Sequence, residues 1–465
     1  MKYVCPLLFA AAALAQTAIP DTPAGQRLRG WLEAVNSADA ARIEAFHKEA
    51  LPEAGPDEQQ QRVQRTLNIV RQTGGFELVR VLRSAPRSLR ALLKEKNADR
   101  TAVLGMEVAA EPPHRIANIG LRPAEESDLE TPQRTSETEA LAQAKAQIEK
   151  WAAADRFSGA VIVAKNGRRI FEGAWGFADR EAKVPNTLDT KFNLGSMNKM
   201  FTAIAVAQLA QAGKLKFTDT VGKWLPDYPN PEFARKVTIH HLLTHTGGAG
   251  DIFGPKFFSN IDSFREQADY VKAYGDRAPE FEPGTKWSYA NYGFVLAGRI
   301  VEAASGMNYY DYVRKNIFAK AGMNDSGSYF KNEKVPKMST GYDNGKPNYD
   351  SLPLRGSAAG GGYSTPEDLL KFAAALLRHK LLDRAHTELV TAGKVDTGIG
   401  KYGYGFGDFE DRGVRFFGHS GGAPGINSDL RIFPASGYVI IVMGNVSPPN
   451  AQRVADYIGS RLPGR

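Results

Sequence analysis

The chain has 465 residues, 42% hydrophobic and 24% charged, which is too long for one ordinary domain and too apolar for a disordered polymer. Its formal charge of +8 is modest, and no lysine-arginine run joins with aromatic residues into a nucleic-acid face, so an anionic substrate or an envelope surface explains the excess more economically. The single cysteine, Cys5, excludes disulfides and cysteine metal sites.

Lys2, the apolar run from Tyr3 to Leu14 and the tripeptide Ala13-Leu14-Ala15 read as a secretory signal over residues 1–15. That run is too short for a stable membrane span, and its removal leaves a mature chain without thiols, exported to the periplasm or beyond. Residues 16–122 read as a small α+β domain. Helices are expected over Arg27 to Ala50, with Leu28, Trp31, Leu32 and Val35 as an apolar stripe, and over Gln59 to Gln72. After the Gly74-Gly75 break, strands are expected at Phe76–Leu82, Ala102–Ala109 and Arg115–Leu121, with Arg87–Glu95 open between helix and charged strand. In its order of elements this segment resembles the cone-shaped ketosteroid-isomerase and NTF2-like group. That resemblance implies a pocket, and with it a ligand-binding or dimerisation role; a spacer is the favoured reading.

Residues 123–137 are acidic and proline-bearing with little to bury, which marks a linker. The second domain, 138–465, opens with a helix at Leu141–Ala154 and a hairpin, Phe157–Ala164 and Arg168–Gly176, around Asn166-Gly167. Further helices are expected at Tyr292–Gly306, Tyr309–Ala319 and Asp368–Leu377, and antiparallel strands at Tyr402–Phe409, Val414–Gly418, Ser428–Phe433 and Tyr438–Asn445. Such an order builds a sheet from both ends of the domain, flanked by helices.

The chemistry centres on Phe192 to Leu209, FNLGSMNKMFTAIAVAQL. Apolar residues from Met200 onward recur mostly at spacings of three and four, as in a helix sunk in a core, and Asn193 to Ser196 supply turn and cap chemistry at its start. Lys199 follows Ser196 by three residues, so its amine can reach the serine hydroxyl; a desolvated amine serves as a base, and the helix N-terminus offers donors to an oxyanion. Alone, S-x-x-K is weak and needs partners. Tyr289 and Asn291 lie two apart after the Pro283-Gly284 turn and can point into one cleft, where a phenol can pass protons and an amide can orient a carbonyl or the lysine. Gly418 to Gly422, GHSGG, ends a strand and offers His419 for a substrate carboxylate or a proton, beside Gly421 and Gly422, where a substrate backbone can approach and the Gly422 amide can complete an oxyanion hole.

Taken in order, S-M-N-K, Y-A-N and H-S-G resemble the three active-site motifs of the serine β-lactamase and penicillin-binding-protein superfamily, in the branch with class C β-lactamases, D-aminopeptidases and β-lactamase-fold esterases. The resemblance covers about Ala154 to Leu462 and includes TIHHLLTHTGG, FEPGTKWSYAN and AAGGGYSTPEDLLKF. It implies a β-lactamase/transpeptidase-like α+β fold, an acyl-enzyme on Ser196, Lys199 as base, Tyr289 as proton shuttle to the leaving group, no cofactor, and a small-molecule or short-peptide substrate. His419 stands where the commoner motif has a carboxylate-binding lysine, which favours esters or relaxed D-peptide substrates over penicillins or strict D-alanyl-D-alanine peptides. The alternatives are a β-lactamase or carboxypeptidase, or a penicillin-binding protein that acylates slowly.

Three rival motifs are weaker. Gly418 to Gly422 also spells G-x-S-x-G, but no helix or later histidine follows to make Ser420 a nucleophile. His240, His241 and His245 lack zinc-protease spacing and read as packing and capping residues, and Gly360 to Gly362 open no phosphate-binding helix.

Overall fold

The computed structural model describes residues 18–97, 100–129, 133–398 and 400–464; the expected signal, 1–15, lies outside them. The chain divides into two compact units between Thr131 and Pro132.

The first unit runs helices first and strands after. Helices α1 (Pro23–Ser37), α2 (Ala40–Ala50) and α3 (Pro56–Thr73) precede strands β1 (Phe76–Ala85), β2 (Ser88–Glu95), β3 (Thr101–Val108) and β4 (Ile116–Pro123), which form an antiparallel meander in that order. Thr22 and Asp39 cap the first two helices by accepting from Gly25 N and Arg42 N, and α3 ends at Gly74 in the left-handed region. The stretch left open at 87–95 is a strand because Leu89, Ala91 and Leu93 alternate onto Leu28, Trp31 and Val35 of α1, while Arg90 and Lys94 face outward. The acidic 123–137 segment is shorter as a linker than its composition suggests. Glu126–Leu129 form a helical turn, and Asp128 pairs with Arg122 at 2.7 Å and Arg90 at 3.6 Å, so the sheet's own cations hold it.

The second unit begins at α4 (Glu137–Ala153), capped by Ser136. Its sheet is assembled from both ends of the segment. The hairpin β5 (Gly159–Lys165) and β6 (Arg168–Trp175) joins β7 (Val395–Asp396), β8 (Lys401–Tyr402), β9 (Gly407–Asp411), β10 (Val414–Ala423), β11 (Ile426–Phe433) and β12 (Tyr438–Gly444). Eight antiparallel strands stand in the order β7-β8-β9-β10-β11-β12-β5-β6. The adjacent strands β5 and β12 are buried on both faces, and the pleat splits them between two cores. Ile162, Val439 and Ile441 join the large core; Val161, Val163, Ile440 and Val442 pack on α4 and on the C-terminal helix α8 (Asn450–Gly459).

Within the large core lie α5 (Asn198–Gln211), α6 (Asn291–Ser305) and α7 (Pro366–Leu377). Helix α5 has no polar face: Phe201 meets Phe318 and Phe372 edge-on at 5.0 and 4.9 Å, and Lys199 and Thr202 are fully buried. A polar residue held there needs partners, which is what positions the site.

Candidate active site

Ser196 lies in a 3-10 turn, Gly195–Met197, immediately before α5, and does not cap it. Asn193 supplies the turn chemistry instead, its Oδ1 accepting from Gly195 N at 2.9 Å. Gly195 has φ +52, and a Cβ there would lie 3.0 Å from Gly422 N and 3.1 Å from Gly421 Cα, so only glycine lets the serine turn approach β10. Gly421 is constrained in the same contact, since its Cβ would fall 2.0 Å from the Leu194 carbonyl oxygen. The serine hydroxyl is thereby free to face the lysine rather than the helix backbone.

Lys199 Nζ donates to three acceptors: Ser196 Oγ at 3.1 Å, Asn291 Oδ1 at 2.7 Å and the Ala359 carbonyl at 2.5 Å. The ammonium also sits 4.8 Å from the Tyr289 ring centroid and 5.5 Å from that of Phe294. Burial pulls this amine down to about 7, with the Asp251 carboxylate pulling weakly the other way, so near neutral pH it exchanges between ammonium and free base. Helix α6 begins at Asn291, one residue before its expected start, and Tyr289 lies in the extended segment preceding it. Burial pushes the Tyr289 hydroxyl up, against the pull of its hydrogen bond with the Ser196 side chain.

Three sequence stretches converge to hold this arrangement. The Ser357–Gly362 loop grips α5 through Asn198 Nδ2 on the Ser357 carbonyl at 2.8 Å, Thr202 Oγ1 on that of Ala358 at 2.6 Å, and Lys199 on that of Ala359. The Thr238–Gly248 stretch is laced to the tyrosine loop: Gly284 N donates to the Thr246 carbonyl at 2.8 Å, Ser288 N to that of His245 at 2.9 Å, and Ala290 N to His245 Nδ1 at 3.0 Å. Its three imidazoles do separate work. His241 closes a capping box with Thr238, His240 bonds the Tyr404 hydroxyl at 2.9 Å, and His245 packs against Tyr289 with the rings tilted by 32° and their centroids 4.3 Å apart.

His419 lies in the middle of β10 rather than at a strand end, and the strand runs on to Ala423 before a turn into β11, so the G-x-S-x-G spelling has no nucleophile elbow. Its ring is engaged within the chain: Nδ1 is 2.6 Å from the Ser420 carbonyl and Nε2 is 2.9 Å from the Tyr402 hydroxyl. Burial and then the nearby Lys199 push it down to about 3, so it is neutral at physiological pH. No ring N–H is left over for a substrate carboxylate.

Ser196 opens onto a cleft. Ile252, Phe253, Phe257, Tyr270 and Tyr329 line it, together with Gly422 to Pro424 and Ile426. Among the described residues lining it, Lys331 alone carries a charge, and it is paired with Asp262. Sequence reasoning missed three contributors. Tyr402 reads as the first residue of an ordinary strand and His245 as packing, and no motif singles out Asp251, whose Oδ1 accepts from Asn291 Nδ2 at 2.9 Å. Nothing local to any of them marks the contact, which the fold alone creates.

A family model described as Beta-lactamase matches residues 143–462, and the chain belongs to that family. Penicillin-binding protein 4* of Bacillus subtilis (strain 168) is 33% identical over 298 residues, covering 59% of this chain and 64% of that protein, so the match spans less than two thirds of the relative. Esterase EstB of Burkholderia gladioli is 34% identical over 207 residues, covering 41% of this chain and 52% of the esterase. Among solved structures, a D-stereospecific amidohydrolase from Streptomyces sp. superposes with a TM-score of 0.58 at 27% identity, covering 68% of this chain and 97% of that one.

Proposed function

We propose that this protein is an exported serine hydrolase that cleaves small uncharged esters, and with them D-amino-acid amides, through an acyl-enzyme on Ser196. The observation that carries the reading is the buried Lys199 amine, held 3.1 Å from Ser196 Oγ and drawn down to about 7. The free amine takes the Ser196 proton as the oxygen attacks the substrate carbonyl, and the backbone N–H groups of Ser196 and Gly422 receive the oxyanion. Tyr289, hydrogen-bonded to the serine, passes the proton to the departing alcohol or amine. Water then attacks the acyl carbon by the reverse relay and releases the acid. Asn291 holds the amine and presents an amide at the cleft.

The cleft's apolar walls and paired lysine support an uncharged acyl group, and a neutral His419 supports a leaving group without a carboxylate. The esterase and D-stereospecific amidohydrolase likenesses support the same two substrate classes. The runner-up, β-lactam hydrolysis or slow acylation by penicillin, draws on the penicillin-binding-protein relative. A panel of p-nitrophenyl esters of short acids, D-alanyl amides and nitrocefin tests the reading. Turnover of the esters should vanish in Ser196→Ala, and activity unchanged in that variant would overturn the assignment. A one-equivalent burst on nitrocefin with no ester turnover would hand the case to the runner-up.

A further inference from the structure

The His419 ring reports its own tautomer. The Ser420 carbonyl 2.6 Å from Nδ1 can only accept, so Nδ1 carries the proton and donates. Nε2 is then the lone-pair nitrogen, and the Tyr402 hydroxyl 2.9 Å away donates to it. Tyr402 is buried, at 6% exposure, between two imidazoles: its ring meets His419 at 5.8 Å and 86°, and His245 at 4.7 Å and 54°. For the hydroxyl to reverse and accept from a protonated Nε2, its own hydrogen would need a new acceptor, and among the described residues His419 is the hydrogen-bond partner its oxygen has.

We propose that Tyr402 is a specificity-determining residue: by donating to Nε2 it holds His419 as an uncharged imidazole with no N–H to spare, and so turns the site against substrates carrying a carboxylate beside the scissile bond. The proposal rests on the serine-hydrolase reading above. Three further observations support it. The titratable groups around the imidazole are Lys199, His245 and Tyr402; Lys199 opposes a second positive charge, and His245, itself held well below its usual range by burial, supplies none. Lys331, the one charged side chain lining the cleft among the described residues, is neutralised by Asp262. A buried tyrosine pays its desolvation cost only if its hydroxyl is satisfied, and this one is satisfied by the histidine that replaces the cation.

Tyr402→Phe tests the assignment, because it keeps the ring and removes only the donor. In full-length protein with ¹⁵N-labelled histidine, the wild-type His419 ring should show the Nδ1–H tautomer and stay neutral down to about pH 5. In the variant its titration should move up by about two to three units, far enough that a sizeable share of the ring is charged at about pH 5.5. Steady-state kcat/KM is then compared for two p-nitrophenyl esters that differ only in a carboxylate or a carboxamide beside the scissile carbonyl. The carboxylate-to-carboxamide ratio should rise about tenfold in the variant at about pH 5.5 and stay flat at about pH 8, the size expected of one charge-assisted hydrogen bond. His419→Lys should raise that ratio at both pH values. A wild-type Nε2–H tautomer, or an unchanged ratio in a variant whose histidine titration has moved, would overturn the proposal. If wild type hydrolyses neither ester, the serine-hydrolase reading falls and takes the substrate consequence with it, whereas the tautomer and its titration still decide the hydrogen bond.

Discussion

Asn291 presents its carbonyl oxygen to Lys199 at 2.7 Å because its amide nitrogen is already given to Asp251, 2.9 Å away. An amide can be turned either way round, and the carboxylate, which only accepts, settles the choice. Asp251 is thus tied to the base at one remove, by orientation and by charge, although it lies on an exposed loop.

Asp251→Asn separates those two effects. The substituted side chain still offers an oxygen to Asn291, so the geometry survives, while the charge that props up the Lys199 ammonium is lost. Removing a raising influence lowers the lysine further, so the free amine persists to lower pH. The acid limb of kcat/KM, expected near 7 in the wild type, should move down by about half a unit. An upward or absent shift in the pH–rate profile would refute the coupling.

His245→Phe probes the support behind Tyr289. Phenylalanine keeps the packing against the tyrosine, 4.3 Å between centroids, but cannot accept from Ala290 N, which His245 Nδ1 now satisfies at 3.0 Å. An orphaned buried N–H costs about 1–3 kcal/mol. The loss is partly offset, since His245 Nε2 is itself buried without a partner among the described residues and the substitution removes it. We expect a net destabilisation of about 1 kcal/mol in urea titrations, and kcat lowered about tenfold with KM less affected, because the loop that carries Tyr289 loses its anchor.

The motifs were legible in the sequence because each is local. A serine and lysine one helical turn apart, or a tyrosine and asparagine flanking a helix start, announce themselves through spacing. The antiparallel sheet with its flanking helices was legible for the same reason, through strands such as Tyr438–Gly444 whose apolar run needs two covered faces. What stayed hidden is every contact made between distant segments. Tyr402 and His419 are 17 residues apart in sequence and meet only because β8, β9 and β10 pair as neighbours, and Asp251 reaches Asn291 across 40 residues. Ser196 as a cap failed on a subtler point. Gly195 bends the chain into a 3-10 turn that hands the capping role away and frees the hydroxyl.

Acid should destabilise the protein through two of its imidazoles, buried His245 and half-buried His419. His419 is about 3 in the folded chain against 6.5 for an unperturbed ring, and burial holds His245 well below its usual range. For a depressed folded value the unfolded chain binds more protons between the two, so stability is full above about 6.5 and falls as pH drops through that window. Depressed carboxylates such as Asp219 act in the same direction at lower pH, so the comparison must be internal. His419→Gln should flatten the loss of unfolding free energy between pH 7 and 4.5 by about 1 kcal/mol or more, read from urea midpoints at each pH. Parallel curves for variant and wild type would show that His419 protonates without penalty.

Every group placed in the site, from Ser196 to Gly422, belongs to the second unit, and the first contributes its own closed core around Trp31 and Phe76, stacked at 5.7 Å. The chemistry proposed for Ser196 asks nothing of the preceding segment. If the first unit is a spacer, a chain starting at about Thr135 keeps the α4 cap at Ser136 and with it the helix that closes the second core. We expect its kcat/KM on the preferred ester to match that of the longer chain within about twofold. A truncated protein with intact circular dichroism but a KM raised tenfold would show instead that the first unit takes part in binding, as the pocket implied by a cone-shaped fold would have it.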